Sequence, residues 1–416
     1  MQIRISLAAL VVLLTLTTLT AHAQYAESVL YNFDANGNDE AFPWGNLVSD
    51  ASGNLYGATE QGGAAGYGSI FEASPTSTGW NVTELYSFTL LNDGGFPKSG
   101  VITDAAGNLY GTTYGGGSAN YGTAWELSPS SGGTWTLTTL HTFLGSPDAG
   151  HSLSGLVFDK SGNLYGAAPQ GGVEGGGAIF ELTPSSGGWT EQVIYSFTAG
   201  ADGASPSSSL VIDAAGNLYG TAQSAGNNSA PLCVKLRGCG TVFRLSPGIA
   251  WKFTTLLEFN GTRGAFPYAG VILDAAGNLY GTTFEGGSCN RNSYGCGTVF
   301  ELTPTPRGPW KQTVLHVFKG FSDGEEPFTN LTFDSTGNLF GTSFGGSSLS
   351  RGAVFELNPS GTAWTFTSLT TFPGSDNAAY PEGAILIDAS GNLFGVTEAG
   401  GTGTGTLYEL SLTASR

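Results

Sequence analysis

Residues 159–166, DKSGNLYG, decide the fold, because the chain returns to them again and again. The pattern Asp-x-x-Gly-Asn-Leu-[Tyr/Phe]-Gly begins at Asp50, Asp104, Asp159, Asp213, Asp274, Asp334 and Asp388, at spacings of 54, 55, 54, 61, 60 and 54 residues. A period of that length marks a propeller or an array of like units. Two further landmarks recur with it. One is a hydrophobic-aromatic-charged triplet such as Ile179-Phe180-Glu181 or Val299-Phe300-Glu301. The other is an aromatic pair eight residues apart, as in Trp80/Phe88, Trp135/Phe143, Trp189/Phe197, Trp251/Phe259, Trp310/Phe318 and Trp364/Phe372. The segments between are short, β-branched or aromatic, and bounded by Gly, Ser, Asn and Pro, which is strand chemistry punctuated by turns.

Each period reads as four strands. In the third, these are Leu156–Asp159, Asn163–Ala167, Ala178–Thr183 and Trp189–Phe197, called a to d. The signature is the a-to-b turn, where glycine supplies a positive φ and the Asp carboxylate accepts turn amides. Seven Asp residues in one repeated turn are therefore structural rather than catalytic. The last repeat stops after strand c at Leu410, and its missing strand d is found at the other terminus, where residues 25–33 (YAESVLYNF) carry the same eight-residue aromatic spacing. Closure of a ring by this strand hides the sheet edges that an open stack would expose. The expected fold is an all-β, seven-bladed propeller of four-stranded blades spanning residues 24–416.

Met1–Ala23 has a single charge, Arg4, an apolar run Leu7–Leu16 and the small-x-small sequence Ala21-His22-Ala23. It reads as a secretory signal peptide, which places the product in the periplasm or outside the cell. The formal net charge is −18, from 14 Lys and Arg against 32 Asp and Glu. Such a field argues against nucleic acid and anionic lipid as partners. No second apolar run suggests membrane insertion, no cofactor motif is present, and a soluble monomer is expected. The four cysteines lie in the two longest periods, Cys233 and Cys239 in the fourth b-to-c loop, Cys289 and Cys296 in the fifth. An even count at matching positions in an exported chain indicates disulfides. Pairing within each loop is favoured, with pairing between the neighbouring loops as the alternative. Zinc is disfavoured because no histidine accompanies the thiols.

Units of the form GNLYGTT…GG…GTVFELTP resemble the GloVer-type, or choice-of-anchor, tandem repeats of exported bacterial proteins, over residues 25–410. The resemblance implies export and a surface or extracellular setting without an assigned activity, although the family's anchor is not recognisable here. Shorter likenesses run to kelch, NHL and streptogramin-lyase propellers.

Strand alternation places the b-to-c and d-to-a loops on one face, with the Gly-rich segments, the Cys insertions and residues 92–99 (NDGGFPKS), 264–269 (GAFPYA) and 322–328 (SDGEEPF). Loops on a rigid scaffold are where function concentrates. The position three beyond each signature varies as Glu60, Tyr114, Pro169, Gln223, Phe284, Phe344 and Glu398, and is a candidate lining for a ligand funnel. His151, in a d-to-a loop on that face, is the histidine placed for chemistry, whereas His141 and His316 in strand d read as packing residues. No Gly-x-Ser-x-Gly or HExxH motif appears. Asp34, Asn36 and Asn38 resemble the start of a calcium loop but lack its Gly and closing acid, so no metal is expected. Two readings follow: a non-enzymatic propeller that binds an extracellular glycan or protein, or a propeller lyase or hydrolase. Convergence of His151 with carboxylates such as Glu60 or Glu398 would favour the enzyme.

Overall fold

The computed structural model describes residues 24–34, 40–226, 229–289, 294–306, 308–320, 323–346, 351–361, 363–373, 378–401 and 403–413. The expected signal peptide and most of the Asp34–Asn38 segment lie outside them. Seven antiparallel sheets follow in chain order, each built a-b-c-d from the axis outward. In the first blade these are Glu40–Ser49, Leu55–Gly62, Ser69–Thr76 and Gly79–Ser87. In the third they are Val157–Phe158, Leu164–Ala168, Ala178–Ser185 and Gly188–Ser196, within a residue or two of expectation. The seventh blade takes Leu386–Ile387, Leu393–Gly400 and Thr406–Thr413 from the C-terminus, and Gln24–Asn32 from the N-terminus completes it. That closing strand pairs antiparallel with Thr406–Thr413, from Gln24 opposite Thr413 to Asn32 opposite Thr406.

The signature residues have separate mechanical tasks. Asp159 Oδ1 accepts the amides of Ser161 (2.7 Å) and Asn163 (2.9 Å), and Oδ2 accepts Asn163 Nδ2 (2.9 Å) and the Tyr165 hydroxyl (3.3 Å). The same amide and Asn bonds recur at Asp50, Asp104, Asp213, Asp274, Asp334 and Asp388. Each carboxylate is thus consumed by its own turn. The closing glycine is required by packing: a Cβ on Gly166 would collide with the Phe180 ring, and one on Gly220, Gly281 or Gly341 with Phe243, Phe300 or Phe355.

The eight-residue aromatic pair joins three blades. Its Phe packs on the strand-c aromatic of the following blade, as in Phe88–Trp125 (5.8 Å), Phe143–Phe180 (5.0 Å) and Phe259–Phe300 (5.2 Å). Phe33 of the N-terminal strand makes the same contact with Phe71 of the first blade at 5.2 Å, which closes the ring. Its Trp leans on the strand-b aromatic of the preceding blade, as in Trp135–Tyr56 and Trp251–Tyr165. These Phe rings are fully buried, so the interfaces between blades are the hydrophobic core.

Cys233 bonds Cys239 and Cys289 bonds Cys296, the within-loop pairing. The first bridge anchors a short helix, Pro231–Leu236, in its loop. Among the described residues no helix is long and apolar enough to cross a membrane.

Candidate functional site

Every blade approaches the axis through one repeated backbone device. The residue opening the inner segment has positive φ although it is not glycine: Phe42, Phe96, His151, Ser205, Phe266, Glu326 and Tyr380, with φ from 54° to 58°. Such a backbone is unfavourable for an L-residue. A hydrogen bond to the neighbouring blade helps hold it, for each of these N–H groups donates to a carbonyl there: Phe96 to Tyr67 O (2.7 Å), His151 to Tyr121 O (2.7 Å), Glu326 to Cys296 O (2.8 Å), and Phe42 to Thr404 O across the closure (2.8 Å). A proline follows at all but His151.

Two residues beyond each of these positions stands a side chain that faces the axis. The series is Trp44, Lys98, Leu153, Ser207, Tyr268, Phe328 and Glu382, and all seven line one cavity of about 370 Å³ at the mouth of the ring. Below them Asn46, Ser209 and Asn330 clasp adjacent blades, accepting the amides of Ala384 (3.0 Å), Gly155 (2.9 Å) and Gly270 (2.7 Å). Glycine at 45, 100 and 383 lets the inner strands close in, since a Cβ there would strike a neighbouring backbone.

Aromatic and charged side chains adjoin in the lining. Tyr268 and Phe328 face each other at 5.3 Å, and Trp44 meets Phe328 edge-on at 6.2 Å, forming an aromatic arc. Beside Trp44, Lys98 pairs with Glu60 at 2.9 Å and lies 5.2 Å from the Trp44 ring and 5.6 Å from Tyr114. Glu382 is only 6% exposed; no donor reaches its Oε2, and the Glu398 carboxylate lies within hydrogen-bonding reach of its carboxyl. Burial, with the neighbouring Glu398 charge, pushes its carboxyl up to about 9, against the opposing pull of Lys98. Burial and the Glu60 charge also raise Glu398.

Of the positions expected from sequence, Tyr114 and Gln223 line the cavity. The others stand behind the lining. Glu60 holds Lys98, Phe284 meets Tyr268 edge-on at 5.0 Å, Phe344 lies 6.2 Å from Phe328, and Glu398 acts on Glu382. His151 has other partners: its Nδ1 is 2.8 Å from Tyr114 O, and its ring packs on Tyr114 (4.6 Å) and Tyr121 (5.0 Å). Glu60, Glu382 and Glu398 therefore converge without a histidine. The lining series itself was missed at the sequence level, although the residue after proline in Pro97-Lys98, Pro267-Tyr268 and Pro381-Glu382 marks it.

One further group forms outside the mouth. His141, Asp148 and Glu191 bring ligand atoms within 4.8 Å of one another, the only such three-residue set among the described residues. Burial and the Asp148 charge push the Glu191 carboxyl up to about 7. His141 packs edge-on against Phe143 at 5.2 Å, as expected of it, and also meets these two acids.

A model of the Gloeobacter/Verrucomicrobia repeat matches residues 14–234, 138–305 and 235–416. No curated protein matches the chain. Among solved structures, a Bacteroides uniformis protein proposed to be a 6-phosphogluconolactonase aligns at 14% identity and a TM-score of 0.47, over 78% of this chain and 87% of that one.

Proposed function

Because the chain belongs to the Gloeobacter/Verrucomicrobia repeat family, whose repeats here build one axial cavity, we propose that it is an exported propeller that binds the end of an extracellular glycan in that cavity. The observation that carries this reading is Glu382, buried in the cavity wall between the blades that supply Phe328 and Trp44, with one oxygen that no donor reaches. An unpartnered buried polar atom is costly unless a ligand satisfies it. Protonated at neutral pH, Glu382 offers a hydroxyl donor to a sugar oxygen, while Trp44, Tyr268 and Phe328 supply faces for its apolar C–H surface. Tyr114, Gln223 and Lys98 add polar contacts. Gln24 is the expected first residue of the exported chain.

The test is calorimetric titration of the tag-free protein with a panel of mono- and disaccharides. Binding by at least one sugar, weakened about tenfold or more by Trp44→Ala or Glu382→Gln while the fold persists, is the expected result. A panel with no binder, or binding indifferent to both changes, would sink this reading.

The paired carboxyls also support a second reading, a glycan hydrolase or lyase. A carboxylic acid kept protonated beside another carboxylate is the usual arrangement for acid-base catalysis. Product release from glycans, abolished by Glu382→Gln or Glu398→Gln with binding retained, would select the enzyme over the binding module.

A further inference from the structure

The repeat provides an internal comparison that isolates one unusual interface. Four blades latch the end of strand d to the loop that follows, always across seven residues. Tyr86 donates to Asp93 (2.9 Å) and Tyr195 to Asp202 (2.9 Å), while His141 and His316 meet Asp148 and Asp323, each at 3.1 Å. The latch alone is therefore a structural device. What differs is the residue that the next blade sets beside it, two positions after its strand-d tryptophan. That residue is Leu137 beside Tyr86, Phe253 stacked on Tyr195 at 4.1 Å, and Phe366 stacked on His316 at 3.8 Å. Beside His141 it is Glu191.

A carboxylate where the other blades set Leu137, Phe253 or Phe366 makes no sense as packing. Glu191 Oε1 is buried and no donor reaches it; its carboxyl neighbour is Asp148, so with both acids ionised the interface carries an unsatisfied acceptor. Burying one such group is unfavourable, and two adjacent carboxylates repel. A divalent cation relieves both.

We propose that His141, Asp148 and Glu191 form a divalent transition-metal site, of zinc class, that bridges the second and third blades. One imidazole and two carboxylates are a ligand set such ions accept, leaving a position for water. The geometry agrees. Two ligands about 2.1 Å from a tetrahedral ion lie roughly 3.4 Å apart, and His141 Nε2 is 3.1 Å from Asp148 Oδ2. Asp148 is oriented beforehand by the amides of Leu144 (2.8 Å) and Ala149 (2.6 Å), the kind of support that fixes a ligating carboxylate. Binding displaces the proton shared between His141 and Asp148 and leaves the imidazole neutral.

The experiment is titration of the tag-free, chelator-treated full chain with cobalt(II) and zinc(II), followed by visible absorption and calorimetry. One ion per chain is expected, with cobalt d–d bands of low-coordinate form and competition by zinc. Glu191→Gln keeps the side-chain volume and should weaken binding at least tenfold. Glu191→Phe copies the packing beside His316 and should abolish it, with the fold verified by circular dichroism. His316→Gln should leave the stoichiometry at one. Weak, multi-site binding unaffected by either Glu191 change would show adventitious cations on an acidic protein only, and would overturn the proposal. So would the absence of binding at millimolar metal.

Discussion

Glu382 is the sole carboxylic acid in a lining series otherwise made of Trp44, Lys98, Leu153, Ser207, Tyr268 and Phe328. Burial first, then the Glu398 charge, lift its pKa from 4.5 to about 9 in the folded ring. In the unfolded chain it titrates near the ordinary value, so between about pH 4.5 and 9 the folded form holds a proton that the unfolded form has released. Stability from this group is complete below the unfolded pKa and falls as pH rises through that window. Glu382→Gln should remove the decline. At pH 8 the variant should be more stable than the parent by up to a few kcal/mol, with no difference at pH 4. Denaturant midpoints at the two pH values check this, and equal differences at both would refute it. Three of the signature Asp residues behave otherwise. Asp50, Asp104 and Asp213 are held below the ordinary carboxylate range by turn amides and Asn side chains that outweigh desolvation, as expected of structural turn anchors.

At the scale of the element, the N-terminal strand is the part on which the rest depends. Gln24–Asn32 pairs along the whole of Thr406–Thr413, and Phe33 enters the core between the seventh and first blades. Without it Leu407, Tyr408 and Leu410 would border an open sheet edge, a template for pairing with other chains. Deletion of residues 24–34 should therefore give a product that elutes as aggregate in size-exclusion chromatography. A soluble monomer of unchanged thermal midpoint would mean that the strand is an ornament. This element was legible in sequence because the aromatic spacing of strand d survives in Tyr25 and Phe33. The axis-facing segments were harder to read. Their strands are only two or three residues long in most blades, and their side-chain direction is set by a positive-φ residue that no local preference announces.

For the whole molecule, stability resides in seven equivalent aromatic interfaces, and the two disulfides are local ties on the mouth side. Each closes a short loop, with sequence separations of 6 and 7. The chain-entropy argument gives about 2 kcal/mol for a loop of that length. Reduction should lower the thermal midpoint by a few degrees and raise amide exchange in residues 229–240, 286–289 and 294–297, leaving the β-sheet circular dichroism of the ring intact. Loss of the sheet signal on reduction would show that the bridges hold blades rather than loops.

The sequence by itself determined the repeat, the number of blades, the pairing of the two ends and the structural role of the signature Asp residues. All of these follow from local turn chemistry and from a hydrophobic pattern copied seven times. It also named Tyr114 and Gln223, which line the axial cavity. Only the tertiary structure decided which loop positions meet at the axis, that Glu382 rather than His151 joins the carboxylates, and that Glu191 from one blade completes His141 and Asp148 from another. Glu60 and Glu382 come from the first and seventh blades, and Glu191 of the third blade stands 50 and 43 residues from His141 and Asp148 of the second. These juxtapositions depend on the twist and closure of the ring, which no single repeat encodes.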